Sequence, residues 1–227
     1  MKDKYVNKKL CVQDGLSDDI SSKAFLSDNE NYYKKIEKYD WVRVVDKHLG
    51  LESVLHSLRE KKTVELVKIF GLEPKFLDAG CGTGLILRHL VKGSVGLDIN
   101  PRNISKAKVH APKAKLVEGK INKMPFAKNR FTTVICTEVL EHLPDPTKAI
   151  SEIARVLAPG GILIGSVPGT NPIWRLRFLS STHPGEPYHK IYIQDDIKAL
   201  FKKSWKILYL KRNCFLMNIF FVVRKNG

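Results

Sequence analysis

The 227-residue chain is predicted to be α/β, with helices on both faces of a mainly parallel sheet, on three observations. Short apolar runs alternate with helical stretches from Gly71 onward. The first of these runs ends in an acid and enters the glycine-rich turn Asp78-Ala79-Gly80-Cys81-Gly82-Thr83-Gly84. The second run ends in another acid, Asp98.

Taken in order, residues 1–30 are polar, with Asp and Ser clustered around Gly15, and read as a mobile arm. From Asn31 to Phe70 apolar positions recur at helical spacing, for instance Leu51, Val54, Leu55 and Leu58, then Val64, Val67 and Phe70, so helices precede the first strand. Residues 1–60 are therefore expected to be an arm with a helical cap, and residues 61–227 the main domain. Strands are expected at Lys75–Ala79, Ser94–Asp98, Ala114–Glu118, Thr132–Thr137 and Gly161–Val167. Helices are expected near Gly84–Val91, Pro101–Val109 and Pro146–Leu157, the last two opening with proline where its missing N–H is harmless. The connection from Gly169 to Lys190 is too long for a structureless loop inside a compact domain and reads as a substrate lid. A helix over Gln194–Lys203 and strands over Trp205–Leu210 and Phe215–Arg224 close the chain.

Composition narrows the function classes. The hydrophobic content of 43% is enough for a sizeable core, which excludes a disordered chain. The longest apolar run, Phe215–Val223, is broken by Asn218 and falls well short of the roughly 20 residues of a spanning helix. Met1–Leu10 is lysine-rich without an apolar core and does not read as a secretory signal, so the expected location is cytoplasmic. Cysteines at 11, 81, 136 and 214 form no CxxC pair and no zinc spacing, so neither a disulfide framework nor a metal is assigned. The formal charge of +16 arises entirely after residue 60, where 28 basic face 12 acidic residues, and would attract nucleic acid, anionic lipid or acidic substrates. Lysines outnumber arginines 29 to 10, which suits solvated faces better than a surface that reads RNA.

The glycine turn carries the chemistry. Glycines let the backbone approach a ligand, and the N-terminus of the helix expected after the turn offers unpaired N–H groups. Eighteen residues beyond Gly80, Asp98 ends the second strand, where a carboxylate can accept from both hydroxyls of a ribose. An adenosine cofactor fits that spacing. Dinucleotide folds space their glycines G-x-G-x-x-G around a pyrophosphate, whereas this turn is D-x-G-x-G-x-G. Asp78 would repel a phosphate and suit an ammonium group, which favours S-adenosylmethionine over NAD.

With these residues in view, the sequence resembles the class I S-adenosylmethionine-dependent methyltransferases, in particular the small-molecule branch of ubiquinone and menaquinone biosynthesis. The resemblance covers about Phe76 to Pro168. It also rests on Met124-Pro125-Phe126 before the fourth strand, on Thr137-Glu138-Val139-Leu140-Glu141-His142-Leu143 after it, and on Leu157-Ala158-Pro159-Gly160-Gly161 before the fifth. It implies a Rossmann-like, doubly wound seven-stranded sheet of order 3-2-1-4-5-7-6, its last strand antiparallel. It further implies that Gly80, Cys81 and Gly82, with Gly84 closing the turn, line the methionine part of the cofactor. Asp98 would hold the ribose, Ile99 would pack on adenine, the Thr137 backbone would help hold the amino group, and Asp78 would act electrostatically near it. Lys120 stands where the family usually has an acid that accepts from the adenine amino group. Lysine cannot accept, so adenine is expected to be held by backbone around Ile121 and by apolar packing. Thr132 likewise replaces a frequent aspartate.

Methyl transfer is an in-line displacement, so holding the partners and excluding water supply most of the acceleration, and a base is needed only for a protonated nucleophile. The candidate catalytic residues are His142, Glu138 and His183, with His189 a further base in the lid. Glu138, Glu141 and His142 form an E-x-x-E-H string that accompanies a divalent metal in some quinone-pathway relatives but can equally start a helix. In the lid, Trp174, Arg175, Arg177, Tyr188 and Tyr192 offer surface to a planar or anionic acceptor. Tyr32, Tyr33, Trp41 and Arg43 are candidates to cover the cofactor from the other side.

The expected function is transfer of a methyl group to a small molecule, O-methylation ahead of C- or N-methylation. The rival is an RNA or nucleic-acid methyltransferase, disfavoured because the chain lacks an Asn/Asp-Pro-Pro-aromatic motif and no cysteine follows proline. A non-catalytic module that binds S-adenosylmethionine or its product S-adenosylhomocysteine is a second rival. Peripheral contact with anionic membrane stays open, and the oligomeric state is not read from the sequence.

Overall fold

The computed structural model describes residues 30–35, 40–48, 50–72, 75–169, 190–202, 204–213 and 218–226. The N-terminal arm up to residue 29 and most of the expected lid, residues 170–189, lie outside the described residues, and with them His183, His189, Trp174, Arg175, Arg177 and Tyr188.

Three helices come first: α1 over 30–35, α2 over Trp41–Asp46 and α3 over Gly50–Phe70. Strands β1 (Phe76–Ala79), β2 (Val95–Asp98), β3 (Lys115–Glu118), β4 (Phe131–Thr137) and β5 (Leu157–Pro168) follow, with α4 (Pro101–His110) after β2 and α5 (Pro146–Val156) after β4. Helix α6 (Gln194–Leu200) and strands β6 (Trp205–Asn213) and β7 (Asn218–Lys225) complete the chain. Among the described residues no helix is long and apolar enough to cross a membrane.

Helices α4 and α5 start where proline and a short polar residue coincide. The Asn100 side chain accepts from the Arg102 N–H and that of Asp145 from the Thr147 N–H, each ahead of a proline that needs no partner. The seven strands form one sheet in the order β3-β2-β1-β4-β5-β7-β6. Strands β1 to β5 are mutually parallel, and β7 runs antiparallel to both β5 and β6, as the resemblance implies.

Alternation along the central strands fills both faces. On β5, Ile162 and Ile164 join Leu66 of α3, Phe220 and Val222, whereas Leu163 faces the larger core with Leu77, Val134, Ile153 and Phe221. All five parallel strands end on one edge, and the chain runs outward from β1 through β2 to β3 on one side, then crosses back to β4 on the other side of β1. That reversal is where ligands settle on open α/β sheets, and it gathers the glycine turn, Asp98, the segment after β3 and the segment after β4.

One expected element differs. Instead of a helix over Gly84–Val91 there are turns and a single 3-10 turn, Leu87–His89. Leu85 packs with Val42 and Val45, Ile86 with Phe76 and Ile135, and Leu87 with Cys81 and Ala111. Three consecutive side chains bury in three directions, which no single helical face provides. Helix α6 also stops at Leu200 rather than Lys203, and β5 starts at Leu157 rather than Gly161.

Candidate active site

The turn after β1 is held by the backbone of its neighbour: the N–H groups of Gly80 and Cys81 both donate to the Leu97 carbonyl, at 2.7 and 2.9 Å. Gly80 has φ +83°, and a Cβ there would lie 2.3 Å from Val139 Cγ2, so both its conformation and its neighbour demand glycine. Gly82 has φ +52°, and the closest atom to a Cβ there would be Trp41 Cδ1 at 3.7 Å. Helix α2 thus stands over the turn, tied to it by the Val42 N–H donating to Thr83 Oγ1 at 3.4 Å. Gly84 closes the turn against Ala107 of α4.

Asp98, at the end of β2, is buried. Its Oδ2 accepts from the Gly82 N–H at 2.9 Å, and its Oδ1 from the Asn100 N–H at 2.8 Å and Asn103 Nδ2 at 3.2 Å. Burial raises its pKa against those bonds. Asp78 lies deeper, 2% exposed, and its Oδ2 has no hydrogen-bond partner. Burial, reinforced by the Asp98 charge, pushes its pKa up to about 7. The Cys81 thiol beside them is driven well above its ordinary value by burial and by both carboxylates. Two buried acids around a glycine turn favour a cation and reject a pyrophosphate, so the residues present fit an adenosyl sulfonium with its ammonium group.

The other expected cofactor contacts lie along the same edge. Ile99 follows Asp98 and is half-buried. Ile121 packs against the main core, and the Lys120 ammonium pairs with the Glu30 carboxylate of α1. Thr137 ends β4, with Glu138 next at φ +54°.

The Glu138 carboxylate is heavily engaged. Oε1 accepts from Ser166 Oγ at 2.7 Å and Asn218 Nδ2 at 2.9 Å, and Oε2 pairs with Arg59 of α3 at 3.2 Å. Glu141 and His142 sit on the 3-10 turn Leu140–His142. His142 is half-buried, with Nε2 3.7 Å from Glu141 Oε1 and Nδ1 2.7 Å from the Tyr33 hydroxyl. No group of three metal-ligating side chains occurs among the described residues. Tyr192, read from the sequence as acceptor surface, is instead fully buried: its hydroxyl donates to the Leu140 carbonyl at 3.2 Å, and its ring joins the core. Of the four residues expected to cover the cofactor, Trp41 stands over Gly82 and Tyr33 reaches His142, whereas Arg43 is exposed and Tyr32 packs edge-on to Tyr33.

Arg59, Glu30, Ser166 and Asn218 were not found from the sequence. Their partners lie 28 to 90 residues away, and no local pattern marks such pairs.

Residues 77–165 match the family model described as "Methyltransferase domain". The chain is 32% identical over 148 residues to the ubiquinone biosynthesis O-methyltransferase of Cereibacter sphaeroides, covering 57% of this chain and 59% of that protein. It is 40% identical over 104 residues to a sterol 24-C-methyltransferase of Gibberella zeae, covering 40% of this chain and 27% of that one. The chain therefore spans less than two thirds of the length of these curated relatives. Among solved structures, the fold matches the N-methyltransferase NodS of Bradyrhizobium japonicum in complex with S-adenosylhomocysteine, with a TM-score of 0.65 at 16% identity, over 89% of this chain and 99% of that one. It also matches the magnesium protoporphyrin IX methyltransferase of Synechocystis, with a TM-score of 0.62 at 20% identity, over 91% and 99%.

Proposed function

We propose, from the premise that residues 77–165 form a class I S-adenosylmethionine-dependent methyltransferase domain, that this chain is an enzyme that methylates a small-molecule acceptor, at a hydroxyl oxygen in preference to carbon or nitrogen. The observation that carries the reading is the pair of buried carboxylates, Asp78 and Asp98, around the glycine turn. A carboxylate offers about four lone-pair positions, and Asp98 spends three on its own chain, leaving room for a ribose hydroxyl.

Bound S-adenosylmethionine supplies an electrophilic methyl group; the chain supplies position and a proton acceptor. Asp98 orients the ribose, and Asp78, through its unpaired Oδ2, favours a cationic methionine end. Gly80, Cys81 and Gly82 admit that end closely, Gly84 seats the turn on α4, and the Thr137 backbone receives the amino group. Ile99 and Ile121 flank adenine, while the Glu30 pair removes the bare charge of Lys120. His142 takes the acceptor's hydroxyl proton at Nε2, and the Glu141 carboxylate favours the imidazolium so formed. Glu138 acts by orientation, since its oxygens already hold Arg59, Ser166 and Asn218 together. Residues 1–60 serve as cap and residues 169–190, with His183, as acceptor lid. The preference for oxygen is supported by this histidine and by the name of the Cereibacter relative.

Calorimetry with S-adenosylmethionine, followed by incubation with methyl-labelled cofactor and a panel of catechols and quinols, tests the reading. Wild type should bind and release S-adenosylhomocysteine with a hydroxylated acceptor. Asp98→Ala should bind at least about tenfold more weakly, the loss expected for bonds to a charged group. Unchanged affinity in that variant, or binding of a nicotinamide dinucleotide in its place, overturns the assignment.

A further inference from the structure

Helix α1 is seated on the ends of two neighbouring strands. At its start the Glu30 carboxylate pairs with the Lys120 ammonium, two residues past β3. One turn later the Tyr33 carbonyl accepts from Asn100 Nδ2 at 2.9 Å, two residues past β2, and the Lys35 carbonyl accepts from Arg102 Nη1 at 3.1 Å on α4. Three helical residues rise about 4.5 Å, which matches the spacing of about 4.8 Å between the adjacent strands β3 and β2. The helix therefore crosses these two strand ends and delivers a carboxylate to the segment Gly119-Lys120-Ile121.

The chemistry of the ligand decides what lies there. The ribose of an adenosyl sulfonium carries the sulfur on C5′ and the base on C1′, at opposite sides of the ring. With Asp98 holding the hydroxyls at the end of β2, and Asp78 and the glycine turn drawing the cationic end toward β1, the base extends the other way, to the end of β3. At its 6-position adenine presents two N–H donors and needs an acceptor. The Lys120 ammonium can only donate, and the Gly119 N–H, another donor, is already spent on the Asp98 carbonyl at 2.9 Å.

We propose that Glu30 is a cofactor-binding residue whose carboxylate, held by Lys120, accepts a hydrogen bond from the 6-amino group of the adenine and so selects an aminopurine over a purine that lacks this group. This rests on the reading of the site as one for S-adenosylmethionine with its ribose on Asp98. A carboxylate offers about four lone-pair positions, of which the lysine takes one. The ion pair sets an acceptor beside a donor, and the adenine edge sets its amino donor beside a ring nitrogen that accepts, so the pair complements both. With the Glu30 and Lys120 side chains 38% and 47% exposed, the pair adds little to stability, and its worth lies in what it presents to a ligand. Without Glu30 the Lys120 donor would face the amino donor, and both would be desolvated unpaired.

A cycle of protein and ligand changes tests this by calorimetry on the full chain. The ligands are S-adenosylhomocysteine and its analogue with purine in place of adenine, which lacks the amino group alone. Wild type should bind the analogue about five- to tenfold more weakly, the range of one net hydrogen bond at a part-exposed site. Glu30→Ala should bind the two equally, and Glu30→Gln, whose amide oxygen still accepts, should keep part of the difference. Glu118→Ala, which removes the carboxylate at the end of β3, should leave the difference unchanged. Equal weakening of both ligands in Glu30→Ala, the mark of a helix that matters for structure alone, overturns the proposal. So does a wild type indifferent to the amino group, a Glu30→Gln that loses as much of the difference as Glu30→Ala, or a dependence that vanishes in Glu118→Ala. Wild type that binds neither ligand overturns the proposed function and this assignment together, whereas tight binding of both without regard to the amino group removes Glu30 and leaves the function standing.

Discussion

Gly80 and Gly82 stand two residues apart with the same left-handed backbone, yet their surroundings assign them different work. At Gly80 an added Cβ would overlap a branched side chain on the neighbouring loop, Val139 Cγ2 at 2.3 Å. Gly80→Ala therefore combines a left-handed penalty of about 1 kcal/mol with overpacking of about 1–3 kcal/mol, and the expected result is a clearly lowered melting temperature. At Gly82 the atom nearest such a Cβ is Trp41 Cδ1 at 3.7 Å, an ordinary contact. Gly82→Ala should cost only the backbone penalty in stability, roughly 1 kcal/mol, while its methyl group adds bulk where the proposed cofactor contact needs bare backbone. Paired thermal melts and calorimetry separate the cases, Gly80→Ala losing mainly stability and Gly82→Ala mainly affinity. Equal stability losses in the two would show that the Val139 contact yields freely.

Strands and helix starts in this chain are local features, and they are legible: short apolar runs give β5 and β7, and Asn100-Pro101 and Asp145-Pro146 announce α4 and α5. The acid-tipped strands and glycine turn are equally local, so the placing of Asp78 and Asp98 beside the turn is readable too. What fails is whatever depends on a distant partner. The segment after Gly84 carries enough apolar residues for a helix, but α2 covers it from outside and splits Leu85, Ile86 and Leu87 among three clusters. Tyr192 looks like a lid aromatic until the core closes around it. The tie between this segment and the N-terminal helices is equally invisible. Arg88 donates from Nη2 and Nε to Glu60 Oε1 of α3, at 2.7 and 2.9 Å, and from Nη1 to both oxygens of Asp46 of α2, at 2.9 and 3.0 Å. Glu60 is only 5% exposed and also meets His89 Nε2 at 2.6 Å. Arg88→Met removes the main counter-charge and should cost about 2–4 kcal/mol in urea unfolding. Adding Glu60→Gln should recover part of that loss, because the stranded charge is then gone. If the second substitution deepens the loss instead, Glu60 is stabilised by something other than its cationic partners.

Across the whole molecule, charge is distributed so that two lysine-rich stretches of the sequence, 101–130 with nine basic residues and one acid and 187–227 with nine and two, belong to opposite ends of the sheet, around β3 and around β6, six strand spacings or about 29 Å apart. The site between them is acidic, and this inversion makes folding stability depend on pH in an unusual direction. The Asp78 carboxyl has a folded value of about 7 against 3.8, so between about pH 4 and 7 the folded chain binds more protons than the unfolded one. Stability contributed by the neutral acid is then present at mildly acidic pH and is lost as pH rises through that window, by up to about 4 kcal/mol, before levelling off. Asp98 shifts in the same direction. Glu60 is lowered despite its burial, through His89 and Arg88, so its contribution has the opposite sign, present above the ordinary carboxylate value and lost only in stronger acid. The ligand-free chain should therefore be more stable near pH 5 than near pH 8, and Asp78→Asn should flatten that difference, isolating this carboxyl from the net charge. A bound cation restores the ionised form, so the melting-temperature gain given by S-adenosylmethionine should grow from pH 5 to pH 8. The gain given by S-adenosylhomocysteine, which has lost the sulfonium charge, should grow less. Equal growth for the two ligands, measured by scanning fluorimetry, would show that the Asp78 charge does not sense the sulfonium.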